Sequence, residues 1–421
     1  MSTDRNRDDP RVAGRRIDPF ASGVSRRRLL KSSGAVGATA SVAGCLGDDA
    51  DVQETIFVFN TGDMTVSLID PATDELLRSE FIGTTASWPS NQYASINPDV
   101  ETLWMNVEGG VVGFDAADEL AELVEVDTGT NANWQELTPD GSRLVISARE
   151  PTHAHFLVDA DPGSDSFGDV VGEIDRSDES DPPPAPCDIS FGPDGDYSYC
   201  ADRDADLLTV VRTDPFEIAA QLELEPLGDD NVGPFMDTTS WDGEYVAIEN
   251  FEDGGTESII DISEPEEPEE IHRFTIDDGL DPSPMTSEWG PDDELLYVFG
   301  ENITVIDVPN LEIIDNIDVG GDTRTGTWNP ERTKLYVPVT ETDEVAVIDH
   351  ETVAQFDSIE VGASPRGITA RSVRPGQNAQ ARLLAAFASV GITFGADVTP
   401  TFCEDECHCG RQCGEEIVLD S

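Results

Sequence analysis

Leu335-Tyr336-Val337-Pro338-Val339, then Val345-Ala346-Val347-Ile348-Asp349, then Ile359-Glu360-Val361-Gly362 form three short apolar runs in quick succession. They follow the turn Asn329-Pro330-Glu331 and are separated by Asp, Thr and Glu. Runs this short, rich in β-branched and aromatic residues and bounded by turn formers, are strands and not helices. The same grammar precedes them in Leu295-Leu296-Tyr297-Val298 with Ile303-Thr304-Val305-Ile306-Asp307, and opens the chain's body in Ile56-Phe57-Val58-Phe59-Asn60 with Val66-Ser67-Leu68-Ile69-Asp70.

Working outward, the turn itself recurs. Thr138-Pro139-Asp140-Gly141 and Gly192-Pro193-Asp194-Gly195 are full copies, and Asn97-Pro98-Asp99, Gly290-Pro291-Asp292 and Asn329-Pro330-Glu331 are near copies. Ser240-Trp241-Asp242-Gly243 lacks the proline, and Arg374-Pro375-Gly376 is a degenerate last one. Proline presets the first turn dihedral and Asp or Gly supplies the rest, so each copy joins two antiparallel strands. The third residues of the seven turns fall at 99, 140, 194, 243, 292, 331 and 376. Four short strands per unit of about 40–50 residues is the spacing of a β-propeller. The expected fold is all-β, a seven-bladed propeller of four-stranded antiparallel blades over residues 54–376. Eight blades is the alternative, if 381–394 adds strands. The chain enters at Glu54 without an innermost strand and leaves with a surplus one at Arg366–Arg371. Pairing the two would close the ring and hide its edges.

These residues resemble the YVTN-type propeller repeat of surface-layer and exported proteins. Val361-Gly362-Ala363-Ser364-Pro365-Arg366-Gly367-Ile368 is similar to the tail of that repeat. The resemblance is specific for fold and unspecific for function, because propellers host many chemistries.

The charge excludes several roles. There are 87 acidic against 24 basic residues, a formal net charge of −63, and lysine occurs only at Lys31 and Lys334. Without a basic footprint the chain is no nucleic-acid binder, and an anionic membrane surface would repel it. The 38% hydrophobic content, with 17 Phe and 6 Trp, separates it from disordered acidic chains. Such a surface suits concentrated salt, where screening is short-ranged, and the composition resembles that of proteins from extreme halophiles.

Before the propeller lies an address. Ser25-Arg26-Arg27-Arg28-Leu29-Leu30-Lys31 resembles a twin-arginine export signal, and Val42-Ala43-Gly44-Cys45 a lipobox. Residues 1–44 therefore read as a signal peptide, Cys45 as the lipidation site and 45–53 as a linker. The expected product is a monomer on the outer face of the cell membrane, held there by its lipid alone.

Function is far less legible. The loops that lead into the inner strands would line the funnel, and they offer Tyr93, Trp134, Arg324 and Arg366. Two guanidinium groups in a concave site would clamp a carboxylate or phosphate; otherwise they pair with acids such as Asp322 or Asp237. The expected role is non-catalytic binding of an extracellular protein or a small anionic ligand. None of the five histidines falls in a funnel loop, which disfavours haem- or copper-bearing propellers that use histidine there. His153 and His155 fall at i, i+2, on one face of an expected exposed strand.

Cysteine supplies the rest. Cys187 and Cys200 flank the Pro193-Asp194 turn symmetrically, so a two-residue hairpin would set them opposite each other for a disulfide; a bulge at Gly195 would spoil it. Residues 377–421 carry Cys403, Cys407, His408, Cys409 and Cys413. Three readings stay open for this cluster: two disulfides, a zinc or copper site, or haem attachment through a lengthened Cys-x-x-Cys-His. The metal readings carry the alternative function, a metal-binding or electron-transfer protein.

Overall fold

The computed structural model describes residues 54–81, 88–107, 109–116, 121–228 and 231–375. Cys45 and the cluster Cys403, Cys407, His408, Cys409 and Cys413 lie outside them. No helix among the described residues is long and apolar enough to cross a membrane.

The strands form seven antiparallel sheets, the blades of a β-propeller. Blade 1 holds Thr55–Asn60, Thr65–Asp70 and Glu75–Phe81, and its innermost strand is Pro365–Arg371 from the far end of the propeller sequence. Register runs from Thr55 opposite Arg371 to Asn60 opposite Pro365, the closure that the phase of the repeat predicts. From inside outward, blade 3 is Asn133–Leu137, Arg143–Ala148, Ala154–Asp159 and Val170–Asp175; blade 4 is Ser190–Phe191, Tyr197–Asp202, Leu207–Arg212 and Glu217–Glu223. Blade 5 is Pro234–Thr239, Tyr245–Asn250, Thr256–Asp261 and Glu269–Phe274. Blades 6 and 7 begin with the inner strands Thr286–Trp289 and Thr327–Trp328.

Blade 2 departs from the pattern. It keeps Thr102–Val107, Gly110–Asp115 and Ala121–Asp127, but its innermost position shrinks to a single bridge between Pro89 and Met105. The chain then turns into a five-residue helix, α1 (Gln92–Ile96), instead of a strand.

Local chemistry explains the repeat. In the turns of blades 3, 4 and 5 the fourth residue is Gly141, Gly195 or Gly243, each at φ between 70° and 75°. Its N–H donates to the carbonyl three residues back. A side chain at Gly243 would also collide with Pro193 of the preceding turn, 2.6 Å away, so these turns pack on one another around the ring. At the ends of third strands Asp70, Asp261 and Asp349 accept backbone N–H groups of the next turn, from Ala72, Ser263 and Thr352.

The core is distributed between blades. Phe57 and Phe59 meet Leu103 and Phe114; Leu144 and Phe156 meet Trp104; Tyr297 and Phe299 meet Trp328 and Val337. Each fully buried Leu, Val or Phe is worth about 1.5–3 kcal/mol, so stability is shared along the whole ring.

The turn geometry overturns the proposed disulfide. Gly195 in the left-handed region makes a four-residue loop, in which Gly192 N–H bonds Tyr197 O. Ser190 then faces Tyr199, a slip of two residues from the two-residue hairpin. Cys187 N–H bonds Ala201 O, not Cys200, and the two cysteines stay unlinked and buried.

Candidate functional site

The inner strands surround a channel and are stitched to each other by side chains. Ser147 donates to Asp188 O, Thr238 to Ser287 O, Thr286 to Arg324 O, Thr325 to Arg366 O, and Thr369 to Ser90 O. Each bond joins one blade to the next, so the channel wall is held at fixed diameter.

α1 plugs this channel. Gln92 donates to Phe191 O and Thr239 O and accepts from Phe191 N–H, tying blade 2 to blades 4 and 5. The helix's own Tyr93 meets Trp241 edge-on at 5.5 Å, the Arg332 guanidinium lies 4.9 Å over the same indole, and Asp293 accepts the backbone N–H of Trp241 while its indole N–H donates to Trp289 O. Trp241 occupies the proline position of the one turn that lacks proline.

Above the plug is a cavity of about 60 Å³, with Asn91 and Gln92 among its lining. Trp88 and Trp134 stand 5.2 Å apart on its wall. Glu136, Asp188, Asp237 and Glu288 supply four carboxylates, and Ser190, Thr238, Thr286, Ser287 and Thr325 supply hydroxyls. Several waters, or the polar end of a small molecule, fit such a volume.

Asn91 organises the acids. Its side-chain amide donates to Glu288 and Gly326 O and accepts from Thr327, while its backbone N–H donates to Glu136. Burial dominates both carboxyls. Glu136 is pushed up to about 7, although N–H groups of Asn91 and Leu137 pull the other way, and Glu288 rises well above the ordinary range. Asp237 is likewise raised by burial to about 7.

A stability prediction follows from these shifts. A carboxyl whose folded pKa exceeds its unfolded value binds more protons in the native state, so stability falls as pH rises between the two values. For Glu136 and Asp237 the window runs from about 4 to about 7. Denaturant midpoints in high salt are expected to be higher at pH 5 than at pH 7.5. Glu136→Gln should flatten that slope, and an unchanged slope would show that Glu136 does not titrate there.

Of the four funnel residues expected from sequence, Trp134 lines the cavity. Tyr93 is turned away into α1's packing against Val145, Ile189 and Phe191. Arg324 and Arg366 contribute backbone carbonyls to the stitching, and neither side chain lines the cavity. Sequence reasoning places Asn91 in a funnel loop without giving it a role, and it missed Trp88, Glu136 and Glu288. The available signal was a polar residue two positions beyond a funnel residue in an inner strand, as in Trp134-Gln135-Glu136 and Thr286-Ser287-Glu288.

A second polar cluster sits between blades 3 and 4. His155, expected on an exposed edge, is fully buried, whereas His153 occupies a turn with its Nδ1 at Pro184 O. Arg176 donates to both oxygens of Asp202 at 2.7 Å and to His155 Nε2 at 3.3 Å. Since guanidinium cannot accept, His155 carries its proton on Nδ1 and donates it to Ser147. Burial, then Arg176, holds its pKa well down. His155, Cys200 and Asp202 are close enough to share a metal, but the guanidinium already fills the cation's role.

No family model and no curated protein matches this sequence. Solved structures do match. A periplasmic gluconolactonase of Pseudomonas aeruginosa is 17% identical, covers 75% of this chain and 98% of its own, and superposes with a TM-score of 0.57. A putative 6-phosphogluconolactonase of Bacteroides fragilis gives 16%, 77%, 99% and 0.56. A protein of Lactobacillus plantarum gives 13%, 76%, 99% and 0.59. The likeness is one of fold.

Proposed function

We propose that this propeller binds a small polyhydroxylated molecule, of the sugar or sugar-acid-lactone class, in the cavity above α1. The observation that carries it is the Trp88–Trp134 pair beside Glu136 and Glu288 in one cavity. Indole faces cover the apolar faces of a sugar ring, while carboxylates and hydroxyls take its OH groups. Four cavity carboxylates favour a neutral ligand over the anionic one suggested by Arg324 and Arg366. Two of the structural neighbours bear the name of lactonases, which agrees with this ligand class at the level of fold.

A second reading has its own support. Glu136, raised to about 7, has the acidity of a general base at neutral pH and would activate water against a lactone carbonyl. Calorimetry of the full chain in high salt against a panel of polyols, aldonic acids and lactones separates the readings. Saturable binding is expected, with Trp134→Ala weakening it by tenfold or more and Glu136→Gln abolishing any lactone turnover. Affinity unaffected by Trp134→Ala would sink the cavity assignment.

A further inference from the structure

Two glutamates of blade 5 are buried against each other, and among the described residues no basic side chain pairs with either. Glu249 and Glu257 are direct cross-strand partners and are fully excluded from solvent. None of their four carboxylate oxygens has a hydrogen-bond partner among the described residues. Blade 3 carries a polar pair at the same place and provides for it. Its Ser147 and His155 are also cross-strand partners, and both are satisfied: His155 by Arg176 and Ser147, and Ser147 by His155 and the Asp188 carbonyl. Blade 5 has one arginine, Arg273, which is spent on Glu252 and Glu270.

A third group converges on the pair. Ser287, 2% exposed, sets its hydroxyl against Glu249, and that hydroxyl also has no hydrogen-bond partner. The Ser287 hydroxyl and the N–H of Glu249 itself both favour the charged carboxylate, yet neither forms a hydrogen bond to it; calcium-class ions sit about 2.3–2.6 Å from each oxygen they bind. Ser287 lines the central cavity as well, which provides a route in. Buried polar groups without partners demand a resident ion or water, and isolated buried charges are too costly to persist.

We propose that Glu249, Glu257 and the Ser287 hydroxyl hold a divalent cation of the calcium class, admitted through the central cavity. The donor set is all oxygen, which selects a hard ion, and two carboxylates match a double positive charge. The competing occupants are protons, since burial raises both carboxyls, Glu249 to about 8.

The test uses the full chain, stripped with chelator in high potassium chloride so that exposed acids are screened. After calcium is added back, one equivalent is expected to survive desalting of the wild type and to be absent from E249Q/E257Q. Calcium at a hundredfold excess over its Kd should raise the wild-type Tm by about 4 °C and leave the double variant unmoved. E264Q/E267Q, altered only in an exposed run, should respond as the wild type does. Should the double variant fail to fold, E257Q alone is expected to lose the retained calcium. Calcium responses that are equal in wild type and variant, or no retained calcium, overturn the proposal in favour of two neutral, protonated acids.

Discussion

Ending the chain at Ser364 is expected to abolish cooperative folding. The lost strand, Pro365–Arg371, is the only partner among the described residues on the inner side of Thr55–Asn60, and its removal bares a six-residue strand edge. Ile368 and Ala370 also leave the cluster that buries Ile56, Val58, Tyr336 and Val347. Arg371 takes with it bonds to Thr102 O and to both oxygens of Ser90, which link blade 1 to blade 2. Near-ultraviolet circular dichroism and size exclusion should report a non-native or aggregated chain. A control ending at Pro375 should stay folded. If the shorter chain melts within a few degrees of the control, closure by this strand does not sustain the ring.

Arg176→Met is expected to cost about 3–5 kcal/mol, because it strands a buried carboxylate. Asp202 is fully buried and burial already pushes its pKa up, so it depends on the guanidinium to stay ionised. Thr209 and, weakly at 4.0 Å, the Cys200 thiol would remain as donors to its carboxylate. The same change removes the donor that sets the His155 tautomer, and with it the chain through Ser147 to the Asp188 carbonyl at the channel wall. Equilibrium denaturation in high salt measures the loss. The double variant Arg176→Met, Asp202→Leu should recover most of it, since an apolar pair of similar volume needs no partner. A loss under about 1 kcal/mol in the single variant would mean that water reaches Asp202.

How far the site was legible can be judged residue by residue. Trp134 was found because the loop that leads into an inner strand must border the axis in any propeller. Glu136 and Glu288, in contrast, are 152 positions apart in sequence and are brought to one cavity by the ring, where Asn91 bonds both. Nothing local to Asn91-Gln92-Tyr93 says that a helix replaces the expected strand, because its partners are carbonyls of blades 4, 5 and 7. Arg324 and Arg366 are absent from the lining of this cavity for a related reason. Their rarity marked them out, but whether a side chain enters a channel depends on the pleat, and a slip of one residue reverses it.

The sequence by itself determined the strand type, the seven-fold repeat and the closure of Thr55–Asn60 by Pro365–Arg371. Those follow from local period and turn chemistry, which repeat with each blade and can be counted. Only the tertiary structure decided which thiols, acids and indoles meet. The four-residue loop at Gly195 parted Cys187 from Cys200, and the ring brought Trp88, Glu136 and Glu288 to one cavity. Burial there, not residue identity, raises those carboxyls, because desolvation belongs to the assembled channel and to no segment of chain.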